Sequence, residues 1–218
     1  MVVLINKYKL YFFNKKFLAS VLVGVLLLLF TFVVNFYAGT YATKKGSNSV
    51  SDIILDNIPT RDVDEVFVYG PVVLWALVAV LCLMDPKKIP FVLKSIALFI
   101  LIRSVFITLT HIGPFPDRIF INYPEDLIGK FTFGGDLFFS AHTGLPFLMA
   151  LIFGKNIYLK IFFTLSAVFF GVVVLLGHLH YSIDVLAAFF ITYTIYHISE
   201  YIFKKDKKMF SDGLGVLN

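Results

Sequence analysis

Six apolar runs dominate this chain, and they leave it little choice of solvent. Residues 17–38, 66–84, 89–109, 137–153, 157–176 and 183–203 each make a run of about 17–22 residues, the length with which a helix crosses a bilayer's hydrocarbon core. The runs are continuous rather than alternating, which argues against a β-barrel, and they lack the polar faces of a soluble bundle. With 59% hydrophobic residues and 26 Phe in 218, the chain carries more apolar surface than a soluble domain of this size hides. The expected fold class is all-α: an integral membrane protein with six transmembrane helices.

Basic residues give the orientation. Lys7, Lys9, Lys15, Lys16, Lys87, Lys88, Lys155, Lys160, Lys204, Lys205, Lys207 and Lys208 fall on one side of the six-span arrangement. The other side holds Lys44, Lys45, Arg61, Arg118 and Lys130 with most of the acids, Asp52, Asp56, Asp62, Asp64, Glu65, Asp117, Glu125, Asp126 and Asp136 among them. By the positive-inside rule both termini are expected in the cytoplasm and the acidic loops outside. The net charge of +5 then follows from topology, with anionic inner-leaflet lipids as partners of the basic tails and no role for nucleic acid.

Tails at 1–16 and 204–218 are expected to flank one membrane body, 17–203, without linker or repeat. The connections 39–65 and 110–136 suffice for lids but not for a second core. A basic stretch before the first run resembles a signal peptide, but the run of about 22 residues is long for one, so an uncleaved anchor is expected. The lone Cys82, in the second run, permits no intrachain disulfide.

Against this background the ionisable residues inside the runs stand out. In "GGDLFFSAHTGLPF" (134–147), His142 is expected one and a half turns into the fourth span, roughly 8 Å deep. In "GHLHYSIDVLAAFF" (177–190), His180 and Asp184 bracket the start of the sixth. Arg103 falls in the outer half of the third. Such groups are costly in lipid unless they face a polar cavity, which marks them as functional candidates. The four-residue spacing of His180 and Asp184 lets the carboxylate accept a hydrogen bond from one ring nitrogen, fixing the tautomer and making the other nitrogen a better base or nucleophile. His142 then supplies the second proton-transfer group of a displacement at phosphorus, and Arg103 offsets charge on the phosphoryl oxygens. The plainer alternatives are an Asp136 that caps the fourth helix or pairs with Arg103, and interhelical hydrogen bonding for His111, His178 and His197. Tyr181 and the Phe at span ends read as interfacial anchors.

"GGDLFFSAHTGLPF" and "HYSIDV" (180–185) resemble the third and fourth signature motifs of the sphingomyelin synthases, a branch of the type 2 phosphatidic acid phosphatase superfamily, with patterns close to C-G-D-x-x-F-S-G-H-T and H-Y-T-[VI]-D-V. "RSVFITLTHIGPFPD", from Arg103, is similar to that family's R-x-x-x-x-x-x-T-x-L-P-x-P segment. The resemblance runs over about residues 52–200, with Gly134 and Ala141 departing from the pattern. It implies a catalytic triad of His142, His180 and Asp184, a phospho-histidine on His180, and six spans with the site on the exoplasmic face. Asp136, Ser140, Thr143 and Tyr181 fall inside the motifs as supporting residues. The implied donor is a membrane phospholipid and the acceptor a second lipid, with no metal or cofactor.

The superfamily's lipid phosphatases carry K-x6-R-P and S-R-x5-H-x3-D. Here Arg103 is followed by Ser104, and Val173 and Val174 stand seven and six residues before His180. Fewer cations suit a phosphodiester better than a phosphomonoester dianion. The expected activity is head-group transfer, with hydrolysis by the same phospho-enzyme as runner-up. A metal-dependent hydrolase using His178, His180, Asp184 and His142 is a chemical rival, although no H-x-x-H-H or H-E-x-x-H accompanies them. A carrier is a third class, without the paired broken helices it would need.

Overall fold

The computed structural model describes residues 2–119 and 135–214, with side chains from residue 7 onward. Gly134, Glu125, Asp126 and Lys130, named above, lie outside the described residues. Among those described, no strand forms and eight α-helices follow one another: α1 Val2–Phe12, α2 Lys15–Lys45, α3 Asp64–Met84, α4 Ile89–Leu109, α5 Ala141–Ile152, α6 Ile157–Leu176, α7 Ser182–Ile202 and α8 Lys204–Asp212.

Five of these, α2, α3, α4, α6 and α7, are long and apolar enough to cross a membrane. Their boundaries follow local chemistry. Asn14 caps α2 by accepting from the Phe17 N–H, and Asn156 caps α6 by accepting from Tyr158 and Leu159. Leu22, Leu26, Leu29, Phe30 and Val33 stay exposed along α2, an apolar stripe whose natural solvent is lipid. The most buried of the long helices is α4. It packs against α2, α5, α7 and α8, and its Phe91 and Phe99 join Phe139, Leu148, Met149, Phe163 and Ile195 in the main core.

The fourth run behaves differently from the others. Only Ala141–Ile152 of the expected 137–153 is helical, and 12 residues rise about 18 Å, well short of a bilayer core. The reason is tertiary. Arg103 donates from Nε to the Phe139 carbonyl (3.0 Å) and from Nη2 to the Asp136 carbonyl (2.9 Å), two acceptors that a continuous helix would use itself. The Ser140 N–H turns to the Asp184 carbonyl instead (3.2 Å). Non-helical backbone is tolerated at this depth because it is enclosed by protein, with Leu137, Phe139 and Ser140 all buried.

The two expected tails are folded onto the bundle. Tyr11 before α2, Phe17 at its start and Met209 of α8 make one buried cluster. Lys7 pairs with Asp85 in the α3–α4 turn (2.6 Å), and Lys87 donates to the Ser211 carbonyl of α8 (3.0 Å). Both described chain ends therefore meet the α3–α4 and α5–α6 turns at one end of the bundle. The histidine motifs gather at the other.

Candidate active site

The turn between α6 and α7 builds the first half of the site. The His178 N–H bonds to the Leu175 carbonyl (3.0 Å) and the Leu179 N–H to the Val174 carbonyl (2.8 Å), the paired closure of a Schellman motif. His178 occupies its left-handed position with φ 53°. Its Nδ1 lies 3.2 Å from the Thr60 hydroxyl and its ring stands edge-on to Phe115, so this histidine organises the turn. The reversal leaves His180 just ahead of α7, whose first helical residue is Ser182, so the histidine precedes the helix it was expected to share with Asp184.

The two still meet. Asp184 Oδ2 lies 3.2 Å from His180 Nδ1 and also accepts from the Tyr181 N–H (3.1 Å), so one carboxylate oxygen caps the helix and holds the imidazole. An ionised carboxylate only accepts, which puts the hydrogen on Nδ1 and leaves the Nε2 lone pair free. Asp184 is completely buried and its Oδ1 has no hydrogen-bond partner among the described residues.

His142 reaches the site from α5, where it is the second residue rather than one and a half turns in, because residues 137–140 are unwound. Its ring stacks on Phe67 of α3 with centroids 4.0 Å apart, and Nε2 lies 3.3 Å from the Phe67 carbonyl. That carbonyl is free for a reason written in the sequence. In a helix its partner would be the N–H of the residue four further on, which is Pro71 and has none. A carbonyl accepts only, so Nε2 of His142 carries the hydrogen and Nδ1 is the nitrogen available for proton exchange. The Ser140 N–H bond to the Asp184 carbonyl and the Arg103 bond to the Phe139 carbonyl bring the start of α5, which carries His142, to the start of α7 and to this arginine. His142 also lines an apolar cleft of about 180 Å³, walled by Pro71, Leu74 and Trp75 of α3, Leu145 of α5 and Phe170 of α6.

Arg103 completes the cluster. Besides holding the unwound backbone, its Nη2 pairs with Asp136 Oδ2 (2.8 Å), so Asp136 is an ion-pair partner and does not cap α5. Nη1 bonds to none of the described residues. Ser140, the N-cap residue of α5, is fully buried with its hydroxyl unpaired among the described residues. Thr143 is fully buried too. Its hydroxyl faces Gly171 of α6, where an added Cβ would stand 3.4 Å away, so Thr143 belongs to the α5–α6 contact. Tyr181 is no interfacial anchor. It is 2% exposed, donates to the Gly113 carbonyl (2.8 Å) and accepts from the Val50 N–H (3.3 Å), pinning both long connections over the site.

Two contributors went unnoticed in the sequence. One is the Pro71–Phe67 pair. The other is Asp52, which accepts from the Ser182 N–H (2.6 Å), Ile54 and Leu55, tying the first connection to the start of α7. Among the described residues, no three His, Cys, Asp or Glu side chains gather as metal ligands would.

Comparison with known families reaches the same part of the chain. Residues 134–201 match the model described as PAP2 superfamily C-terminal, a segment that contains His142, His180 and Asp184. The match supports the type 2 phosphatidic acid phosphatase superfamily and, with it, an enzyme acting on phosphate esters. No curated protein and no solved structure matches the chain.

Proposed function

We propose that the protein is a lipid phosphotransferase. It moves a phospho-head group from a glycerophospholipid to the hydroxyl of a lipid acceptor such as ceramide or diacylglycerol. The observation that carries this reading is the buried Asp184–His180 pair, which leaves a free lone pair on Nε2 of His180, at a place where the Ser140 N–H bond to the Asp184 carbonyl joins the start of α5 to that of α7 and Arg103 holds the Phe139 carbonyl. In the first step His142 starts as the imidazolium, with a second proton on Nδ1; Nε2 of His180 attacks phosphorus, the bond to the diacylglycerol oxygen breaks, and His142 gives that oxygen its Nδ1 proton. In the second, His142 takes the proton of the acceptor hydroxyl, its oxygen attacks phosphorus, and the N–P bond breaks to regenerate His180. Arg103, through the two N–H groups of Nη1, faces the phosphoryl oxygens as charge gathers on them. The apolar cleft beside His142 gives a lipid's hydrocarbon part somewhere to lie. In this reading α5 and the unwound residues before it form a sixth crossing, the termini are cytoplasmic and the histidines face the opposite leaflet.

The test uses head-group-labelled phosphatidylcholine or phosphatidylethanolamine, with and without ceramide, on purified protein. Acceptor-dependent label in a new lipid supports transfer, label released to water supports hydrolysis, and no turnover of either donor rejects both. His180→Ala is expected to abolish either reaction. His178→Gly, which suits the left-handed position, is expected to keep it; a metal centre built on His178 demands the opposite.

A further inference from the structure

At the end of the bundle away from the histidines, a cavity of about 200 Å³ opens between the α3–α4 turn, the α5–α6 turn and the end of α8. Its cationic wall is Lys87, Lys88 and Lys155, and Phe153 and Phe210 are its apolar wall. The one carboxylate in it, Asp85, is already engaged by Lys7 (2.6 Å) and faces Lys88 (3.7 Å). Lys87 is anchored on the Ser211 carbonyl (3.0 Å) and Lys88 over the Phe153 ring (5.5 Å). Lys155 is exposed and has no partner among the described residues. Two anchored ammonium groups and the exposed Lys155 thus line a space that one carboxylate, itself shared with a fourth lysine, does not neutralise.

We propose that this cavity binds the phosphate of an anionic phospholipid head group, with the glycerol end of the lipid against Phe153 and Phe210. Ammonium groups bind phosphate as compact point charges, and the adjoining rings supply the apolar surface that a head group's junction with its chains requires. The wall is assembled from three separate stretches of sequence, residues 85–88, 153–159 and 210–211, so it exists only in the folded bundle. That separates it from the diffuse attraction of basic tails to a charged leaflet. It is independent of the phosphotransferase reading, since none of its residues touches the histidine end.

The experiment is native mass spectrometry of the full-length protein incubated in detergent with phosphatidylglycerol, with phosphatidylcholine, or with inorganic phosphate. The expected result is preferential retention of phosphatidylglycerol, lowered about fivefold by Lys155→Gln, in line with the contribution of one lysine near a charged lipid. Lys155→Arg should keep the retention. Lys9→Gln/Lys15→Gln, which removes exposed charge elsewhere at the same end, should leave it unchanged. The proposal is overturned if the Lys9/Lys15 variant loses as much as Lys155→Gln, if phosphatidylcholine is retained equally, or if inorganic phosphate alone displaces the lipid. A helical circular-dichroism spectrum and melting temperature of Lys155→Gln that match the wild type verify folding.

Discussion

Helix α4 carries two buried cations nine residues apart, and they are used in opposite ways. Lys94 donates to Asp206 Oδ2 of α8 (2.7 Å) and to the Ser20 hydroxyl of α2 (2.7 Å), while Ser20 itself donates to Asp206 and the Phe203 ring lies beneath the ammonium. The charge is cancelled and the polar atoms point at one another, so the cluster fastens three helices and offers nothing to a ligand. Arg103 also meets a carboxylate, but it spends much of its guanidinium on two backbone carbonyls, and its Nη1 bonds to none of the described residues. A lysine is a point charge that one carboxylate can satisfy. An arginine's planar fork can shape a loop with one edge and keep donors for an anion on the other. Two buried ion pairs in one helix thus differ by whether their hydrogen bonds are used up.

The largest expected effect separates the pairs by activity. Arg103→Met should lower head-group turnover by about 10²–10³-fold, as loss of a preorganised donor does, whereas Lys94→Met should turn over normally wherever it is folded. A folded but inactive Lys94 variant would break the comparison. Stability should reverse the order. Lys94→Met leaves Asp206 buried without its counter-charge, costing about 3–5 kcal/mol in thermal unfolding, and Lys94→Met/Asp206→Leu should recover most of it.

A smaller effect tests how the site end positions its second histidine. Pro71→Ala returns an N–H to compete for the Phe67 carbonyl. Turnover should fall about tenfold, a fraction of what proton transfer contributes, while the melting temperature rises as the helix is repaired. The smallest effect concerns pH. Burial opposes ionisation of Asp52, but the Ser182 N–H, the Ile54 N–H, the Ser182 hydroxyl and the Leu55 N–H outweigh it and hold its pKa below the usual value. A depressed carboxylate adds stability above its unfolded pKa, about 4, that is lost as pH falls through the folded value. The protection factor of the Ser182 amide, its exchange rate corrected for the intrinsic pH dependence, should therefore fall in acid in the wild type and be low already at neutral pH in Asp52→Asn.

These pairs also show how far the sequence could be read. Hydropathy located the five long helices because each is decided by its own composition. It overextended the fourth run because the break at residues 137–140 is made by Arg103, 33 residues or more away. The His180–Asp184 contact was legible from spacing although the helix starts later than that spacing assumed. Lys94 was not, since one lysine near the end of an apolar run reads as part of the span, and its acid is hidden between lysines in "KKDKK" (204–208). The part Pro71 plays was not legible either, since only the fold brings His142 to the carbonyl that this proline frees.

The separation of Lys94 from Asp206 also orders events during synthesis. The acid emerges 112 residues after the lysine, so among the described residues α4 first has Ser20 as the partner of its lysine. Its charge is neutralised only when α8 has left the ribosome. Helix α8 thus seals this end of the bundle after α4 is made, and nascent chains truncated before residue 206 should expose an uncompensated lysine, a signal by which cellular quality control can tell unfinished copies from finished ones.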